Sequence, residues 1–202
     1  MLSGETANGP YGVQAVTVMA KTCCEAEACR NYNALFQAVR MSVLSQYKML
    51  TPSESLASSA VKTAIDVHAS VLVVLSETGN TARLVAKYRP GRAIICLTTS
   101  GTVARQCAGV LSGIHAYKVE SLEKTLPLVQ MTGERAVEAG IAKQGDLMVI
   151  VAGTLHGQGK NNQVRVGTCM QRMDLGPSNR RSLSLKLHFP FHQSPSLRAI
   201  AP

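Results

Sequence analysis

The sequence has no tryptophan, and only eight of its 202 residues are aromatic. Nucleic-acid-binding proteins usually combine a clustered basic surface with aromatic side chains that stack on bases. Part of the net charge of +9 comes from the end of the chain, where five basic residues stand against one acid after residue 170. We therefore expect no nucleic-acid partner. The moderately basic body suits an anionic small ligand or no ligand at all.

Long apolar runs are also absent, since candidates such as residues 71–75 are only as long as a strand. A membrane helix needs about 18 consecutive apolar residues, and a secretory signal needs a basic start before an apolar core. Neither pattern is present, so we expect no membrane partner. The six cysteines include the adjacent Cys23 and Cys24, and Cys96 lies in an apolar run. This usage is typical of a reducing compartment and predicts a cytoplasmic protein.

Several chemical motifs are missing as well. The chain has no GxxxxGK[ST] phosphate-binding loop and no G-x-S-x-G nucleophile turn. Cys23, Cys24 and Cys29 do not match any zinc spacing. His188 and His192 have metal-like spacing, but no cysteine pair or acid stands nearby. We interpret these residues as packing cysteines and incidental histidines, and we predict no metal ligands.

The first third of the chain has helical periodicity. Apolar residues recur at helical spacing in two segments, Val13, Val16, Met19, Ala20 and Cys23 in one and Tyr32, Leu35, Phe36, Val39 and Val43 in the other. A third helix is predicted from Pro52 to about Val67, because Thr51 can cap it and Glu54 can complete a capping box.

After residue 69 strands and helices alternate. Strands are predicted at residues 70–75, 93–97, 115–119, 147–152 and 163–168, the first two of them buried, and helices at residues 79–88, 102–111 and 124–142. This order predicts an α/β fold, a three-layer sandwich with a mostly parallel five-stranded sheet. The connection before the last strand is too short for a helical crossover, so that strand is predicted to be antiparallel.

Three segments have the composition of a binding or catalytic site. Residues 76–81 join a strand to a helix, where hydroxyl groups and helix amides favour a phosphate, although an ordinary capped turn has the same composition. The glycine-rich residues 153–162 suit a binding loop or a plain hairpin connection. Ser3 and Glu5 follow a predicted strand end, which in a (β/α)8 barrel faces the active site, but a simple turn would also explain them.

Four segments together resemble pyruvate kinases. They are MLSGETA at residues 1–7 with GPY at 9–11, MA at 19–20 with CEAE at 24–27, ESLASSAV at 54–61 with TA at 63–64, and LVAKYRP at 84–90. The resemblance covers residues 1–168. It implies that residues 1–31 are a remnant of the TIM barrel, the end of its eighth strand and the following helix. Residues 32–170 would be the C-terminal α/β regulatory domain. Residues 171–202 depart from the family's pattern, are rich in Ser, Arg, Pro and Leu and have no sustained period, so we predict a divergent, disordered tail.

The resemblance implies a glycolytic, homotetrameric enzyme that transfers a phosphoryl group from phosphoenolpyruvate to ADP, giving pyruvate and ATP, and uses Mg²⁺ and K⁺. The family's catalytic lysine and acidic metal ligands lie on earlier barrel strands, which no segment of this sequence matches. Only Ser3 and Glu5 would belong to the active-site rim. We therefore expect a fragment that is inactive alone.

The resemblance also implies an allosteric site for a sugar bisphosphate. One phosphate would be held by Ser76, Glu77, Thr78, Gly79, Asn80 and Thr81, and the effector loop with Gly157, Gly159, Lys160 and Asn161 would close over it. Asn80 stands where several members that respond to sugar phosphates carry a basic residue, so Lys160 would have to supply the cation of the closing loop. Two alternatives stay open: a free-standing sugar-phosphate-binding module, or a protein that pairs with full-length subunits.

Overall fold

The computed structural model describes residues 4–123, 125–152 and 163–169. The chain divides into two compact units. Among the described residues, one comprises residues 4–31 and the other begins at Tyr32. No helix among the described residues is long and apolar enough to cross a membrane.

The described part of the first unit is helical. It contains α1, Gly4–Ala7, and α2, Gly12–Ala28. The predicted helix is present, but residues 4–7 form a helical turn where a strand end leading into a turn was predicted, and residues 1–3 lie outside the described part. No residue of α2 is buried; Val13 is 78% and Val16 54% exposed. The apolar face expected from the spacing is therefore present on α2, but no other part of the described chain buries it.

The second unit begins with two helices, α3, Tyr32–Tyr47, and α4, Pro52–Asp66. Thr51 caps α4 as predicted, since its hydroxyl accepts a hydrogen bond from the Glu54 amide at 3.3 Å. The other half of the predicted capping box does not form. The Glu54 carboxylate, nearly buried, instead accepts a hydrogen bond from Lys87 Nζ at 2.9 Å.

A five-stranded sheet forms the centre of the second unit. Its strands and helices, in chain order, are β1 Val71–Leu75, α5 Asn80–Lys87, β2 Ala93–Thr98, α6 Gly101–Val110, β3 Ile114–Lys118, α7 Thr125–Glu138, β4 Leu147–Ala152 and β5 Gln163–Thr168. The strand order is β3-β2-β1-β4-β5. Strands β1 to β4 pair in parallel and β5 pairs antiparallel with β4, which confirms the predicted α/β sheet.

Helices cover both faces of this sheet. Alternate residues of the central strands point to opposite sides, so Leu72 packs in a cluster with residues of α4, α5 and α6, and Val73 in a cluster with residues of α7. All five residues of β1 are buried, which is why this strand reads as a continuous apolar run rather than an alternating one.

Helix α7 is shorter than its periodicity predicts. It ends at Glu138 rather than near residue 142, because Gly140 adopts a φ of 71°, which ends the helical geometry. The Ile141 amide then bonds back to the Ala136 carbonyl at 2.9 Å. The chain leaves α7 through this cap and enters β4.

Candidate functional site

The strand order creates a topological switch point beside β1. The chain adds β2 and then β3 on one side of β1, and α7 then carries it back to β4 on the other side, with Val74 paired to Cys96 and to Val151. In open α/β sheets the crevice at such a point, beyond the carboxyl ends of the strands, is the usual ligand site. The loop after β1, Ser76 to Thr81, begins at this point, and so does the connection that follows Ala152.

The strand side of the Ser76–Thr81 loop is fixed by hydrogen bonds. The Ser76 amide donates to the Leu97 carbonyl at 2.9 Å, and the buried Ser76 hydroxyl accepts from the Gly79 amide at 3.1 Å. The Thr98 hydroxyl, fully buried at the end of β2, donates to the Glu77 carbonyl at 3.1 Å. The loop is thus tied both to itself and to the neighbouring strand.

Gly79 is required by its conformation and by its surroundings. Its φ of 76° and ψ of −3° are left-handed, a region that residues with a side chain rarely adopt. A methyl group at this position would lie 2.8 Å from Cys107 Sγ and 2.9 Å from Val103 Cγ1, both on α6. The loop backbone therefore packs directly against α6 and turns there into α5.

The helix side of the loop provides positive potential. The amino end of α5 carries the positive end of the helix dipole, which stabilises bound anions. The Asn80 amide points at the Thr78 hydroxyl, at 3.4 Å, so hydroxyl and amide groups gather at this end. Arg83 Nη2 donates to Asn80 Oδ1 at 3.0 Å. This hydrogen bond holds a positively charged guanidinium beside Asn80, whose own side chain is neutral. Exposed groups with these properties can bind a phosphate-like anion.

Two buried thiols lie under the loop. Cys96 on β2 is fully buried, and burial is the main cause that raises its pKa to about 12. Burial also raises the pKa of the Cys107 thiol on α6. Both groups are therefore protonated near neutral pH and pack as small apolar side chains.

The structure gathers the six predicted phosphate-binding residues, Ser76 to Thr81, in one loop, with Ser76, Gly79 and Thr81 buried and the other three exposed. The second predicted group, Gly157, Gly159, Lys160 and Asn161, lies outside the described residues. So does Ser3, and nothing is described of the Glu5 side chain.

Sequence reasoning missed four residues that shape the loop: Arg83, Thr98, Val103 and Cys107. The contact of Arg83 with Asn80 could have been predicted, because Arg83 stands three residues after Asn80 and so lies on the same helix face. The sequence indicates the role of Thr98 less clearly, since it shows only that a hydroxyl residue ends the neighbouring parallel strand. The contacts of Val103 and Cys107 with Gly79 depend on how α6 packs, for which the local sequence carries no signal.

Among the described residues, no three His, Cys, Asp or Glu side chains lie close enough together to hold a metal ion. The described carboxylates therefore do not form the acidic Mg²⁺ site that the resemblance implies for the family.

Comparison with known proteins agrees with the fold. Residues 54–167 match the family model described as "Pyruvate kinase, alpha/beta domain". A pyruvate kinase of Dictyostelium discoideum is 45% identical over 173 residues, covering 83% of this chain and 33% of that protein. One of Eimeria tenella is 40% identical over 153 residues, covering 76% of this chain and 28% of that protein. The chain thus spans about a third of the length of these relatives.

Solved structures give the same result. A crystal structure of a pyruvate kinase from Cryptosporidium parvum superposes with a TM-score of 0.74 at 37% identity, covering 84% of this chain and 32% of that one. A second, of the Cryptosporidium parvum enzyme in complex with ADP, has a TM-score of 0.73 at 36% identity and covers 84% of this chain. The chain therefore belongs to the pyruvate kinase family and carries its C-terminal α/β domain.

Proposed function

We propose that this chain is an effector-binding regulatory region of a pyruvate kinase, and that the Ser76–Thr81 loop binds a phosphate group of a sugar bisphosphate. The observation that carries the proposal is the position of the loop. It begins at the switch point between β1 and β4, beyond the carboxyl ends of both strands.

The chemistry of the loop supports a phosphate ligand. Gly79 lets the backbone approach a ligand closely, and the amino end of α5 favours negative charge. Arg83, held by Asn80, supplies a cation that partly replaces the basic residue absent at position 80. Glu77 is exposed beside these groups and opposes a highly charged ligand, so we expect a modest affinity rather than tight binding.

The activity of the whole enzyme is a separate part of the proposal. We infer that phosphoryl transfer between phosphoenolpyruvate and ADP takes place in a longer or assembled protein, to which this chain contributes Ser3 and Glu5 at the active-site rim. Phosphoryl transfer depends on positioned cations around the transferred group, and no three His, Cys, Asp or Glu side chains of the described residues lie close enough together to hold a metal ion. A coupled assay of pyruvate formation by the purified chain should give no activity above buffer; measurable turnover would contradict this part.

The binding part is tested by calorimetric titration with a fructose bisphosphate. We expect saturable binding that Thr81→Ala weakens. The matched control is Thr102→Ala, which removes the same hydroxyl from the same helical position, the second residue of α6. The control should bind as the unchanged chain does. No binding at millimolar ligand, or equal losses in both variants, would refute the site.

A second candidate function is pairing with another pyruvate kinase subunit. Strand β5 lies at the edge of the sheet, and Val166 on it is 47% exposed. An edge strand with apolar side chains can pair with a second chain. Co-purification with a full-length pyruvate kinase that Val166→Lys abolishes would support this function. Val110→Lys, at a more exposed apolar position on α6, is the control and should leave pairing intact.

A further inference from the structure

The carboxyl end of α5, opposite the proposed binding loop, is held by an ion pair that contains a nearly buried acid. Lys87 Nζ lies 2.9 Å from Glu54 Oε1 on α4, and the side chain of Glu54 is only 11% exposed. Lys62 and Asp66 form a contrasting pair within α4, in which both side chains are about half exposed. Exposed pairs contribute little, whereas a buried carboxylate that loses its partner keeps an uncompensated charge. Lys87 and Glu54 therefore constrain how α5 lies on α4.

Tyr88, the next residue, packs the same end of α5 against α3. Its side chain is fully buried, and the centroid of its ring lies 5.6 Å from that of Phe36, which is also buried. Lys87 Nζ lies 5.9 Å from the centroid of the Tyr88 ring. The ion pair and the aromatic pair are therefore neighbours, at the place where α3, α4 and α5 meet.

Helix α5 links this anchored end to the loop. It has eight residues, a length of about 12 Å, and its buried residues are Thr81, Ala82, Leu84, Val85 and Ala86. A short helix that is packed over most of its length moves as one body, because a close-packed interior transmits displacement. The amino end of α5 follows Gly79 and has no side-chain cap. The contacts at the carboxyl end therefore fix the orientation in which the amino end faces a ligand.

We propose that Glu54 and Lys87 are positioning residues for the proposed phosphate site. They hold α5 in the orientation in which its amino end, about 12 Å away, receives the phosphate, and they act through the helix rather than on the ligand. Because such coupling is reciprocal, a bound phosphate also tightens the packing of Phe36 on Tyr88. The inference rests on the proposed function, since the ligand and the loop are the same.

The opposite charges of the pair distinguish positioning from simple attraction. Lys87→Met removes a positive charge and Glu54→Gln a negative one, so general attraction of an anionic ligand would fall in the first variant and rise in the second. Over about 12 Å, physiological salt screens most of that attraction. Positioning instead predicts weaker binding in both variants, because either change releases the carboxyl end of α5.

The test is calorimetric titration of the full chain with a fructose bisphosphate. We expect Lys87→Met and Glu54→Gln each to bind about fivefold more weakly than the unchanged chain, and Lys87→Arg, which keeps the charge, to retain most of the affinity. The matched control is Lys62→Met, which removes the same charge from the exposed pair of α4 and should bind as the unchanged chain does.

Hydrogen exchange gives a readout that loss of stability alone would not produce. Saturating ligand should slow exchange of the α3 amides around Phe36 more than exchange of the α7 amides, which lie on the other face of the sheet. This preference for α3 should disappear in Lys87→Met. Equal slowing of α3 and α7 in the unchanged chain would contradict the coupling.

NMR spectra without ligand separate this inference from the proposed function. The amide chemical shifts of residues 79–81, at the far end of α5, should change in Lys87→Met and Glu54→Gln but not in Lys62→Met. If they do and the unchanged chain binds no fructose bisphosphate, the positioning role stands and the proposed ligand is wrong. Unchanged shifts, unchanged affinity in both variants, or affinities that move in opposite directions would overturn the positioning role.

Discussion

Two neighbouring loops of the sheet look alike in sequence and differ in how they are held. The first loop is residues 76–81, between β1 and α5, and the second loop is residues 98–102, between β2 and α6. Each follows a buried parallel strand and contains a glycine among hydroxyl residues. Each is followed by an arginine that bonds back three residues, Arg83 to Asn80 at 3.0 Å and Arg105 to Thr102 at 3.3 Å.

The two loops differ first in the conformation and packing of their glycines. Gly79 is left-handed and pressed against α6, whereas the nearest atom to a Cβ at Gly101 is the flexible end of Arg105, at 3.6 Å. The helix caps differ too. Ser100 accepts a hydrogen bond from the Val103 amide at 3.4 Å, while Gly79 has no side chain with which to cap α5.

The first loop is therefore held by tertiary packing against α6 in addition to its own Ser76 hydroxyl, whereas the helix that follows the second loop is capped by a side chain of that loop, Ser100. Only the first loop lies at the switch point, between β1 and β4. A binding site needs backbone that a ligand can approach and that the rest of the fold holds in place. The first loop has both properties, although the sequence patterns of the two are nearly equivalent.

The largest expected contrast is between the two glycines. Gly79→Ala should lower the free energy of unfolding by about 2–4 kcal/mol, because it adds left-handed strain and overlap with α6. Gly101→Ala should stay within about 0.5 kcal/mol of the unchanged chain or stabilise it, since helical backbone suits alanine. Urea denaturation followed by circular dichroism measures both. Equal effects would contradict the contrast.

Thr98 connects the two loops, so its loss should affect both. Its hydroxyl donates to the Glu77 carbonyl and accepts from the Ser100 amide at 3.3 Å. Thr98→Val should reduce the free energy of unfolding by about 1–3 kcal/mol, because both partners lose a bond that the buried hydroxyl made. Thr99→Val is the control and should have less effect. Urea denaturation measures the free energy, and NMR of Thr98→Val should show changed amide chemical shifts in both loops. Changes confined to one loop would contradict the idea that Thr98 links the two.

The caps give a smaller contrast. Ser100→Ala should lower the free energy of unfolding by about 1 kcal/mol through the loss of the α6 cap. Thr78→Ala should change it by only about 0.3 kcal/mol, because its contact with the Asn80 amide is long and exposed. Thermal unfolding of the two variants side by side would decide, and a reversed order would show that the first loop is held by its own side chains.

The smallest effect expected is on ligand affinity. Asn80→Arg should strengthen binding of a fructose bisphosphate about threefold, since it adds a second cation at the amino end of α5. Thr102→Arg places the same charge at the second loop and should leave the affinity unchanged. Calorimetry at two salt concentrations is the measurement. An equal gain in both variants would mean that general charge, not the first loop, attracts the ligand.

Much of the fold is predictable from the sequence, because three of the parallel strands, β1, β2 and β4, are almost fully buried and appear as continuous apolar runs. The antiparallel β5 also follows, from the short connection before it. The end of α7 does not, since its periodicity continues through Gly140 and the left-handed cap depends on one backbone angle. Helix α2 shows a second limit of sequence-based prediction. Val13 and Val16 recur at helical spacing, but the spacing does not reveal whether other residues bury that face of the helix.

The position of the proposed binding loop is predictable from the same patterns, and its shape is not. The order strand, turn, helix at residues 71–87 predicts where a phosphate would bind, and the identity of Ser76 and Thr81 suits that chemistry. The contacts that shape the loop come from Thr98, Val103 and Cys107, which are distant in sequence. They depend on the register of β2 and the packing of α6, and both arise only when the sheet is assembled.

The central place of β1 has a consequence for hydrogen exchange in the loop. Amides of a fully buried strand between two neighbours open only when the whole domain unfolds, while those of exposed turns open freely. The Ser76 amide, bonded to Leu97, should exchange nearly as slowly as β1, and the Thr78 amide many times faster. Within three residues the chain would pass from its most protected amides to highly dynamic ones. A ligand bound there would contact a rigid backbone on the strand side of the loop and a backbone that can adjust to it on the turn side.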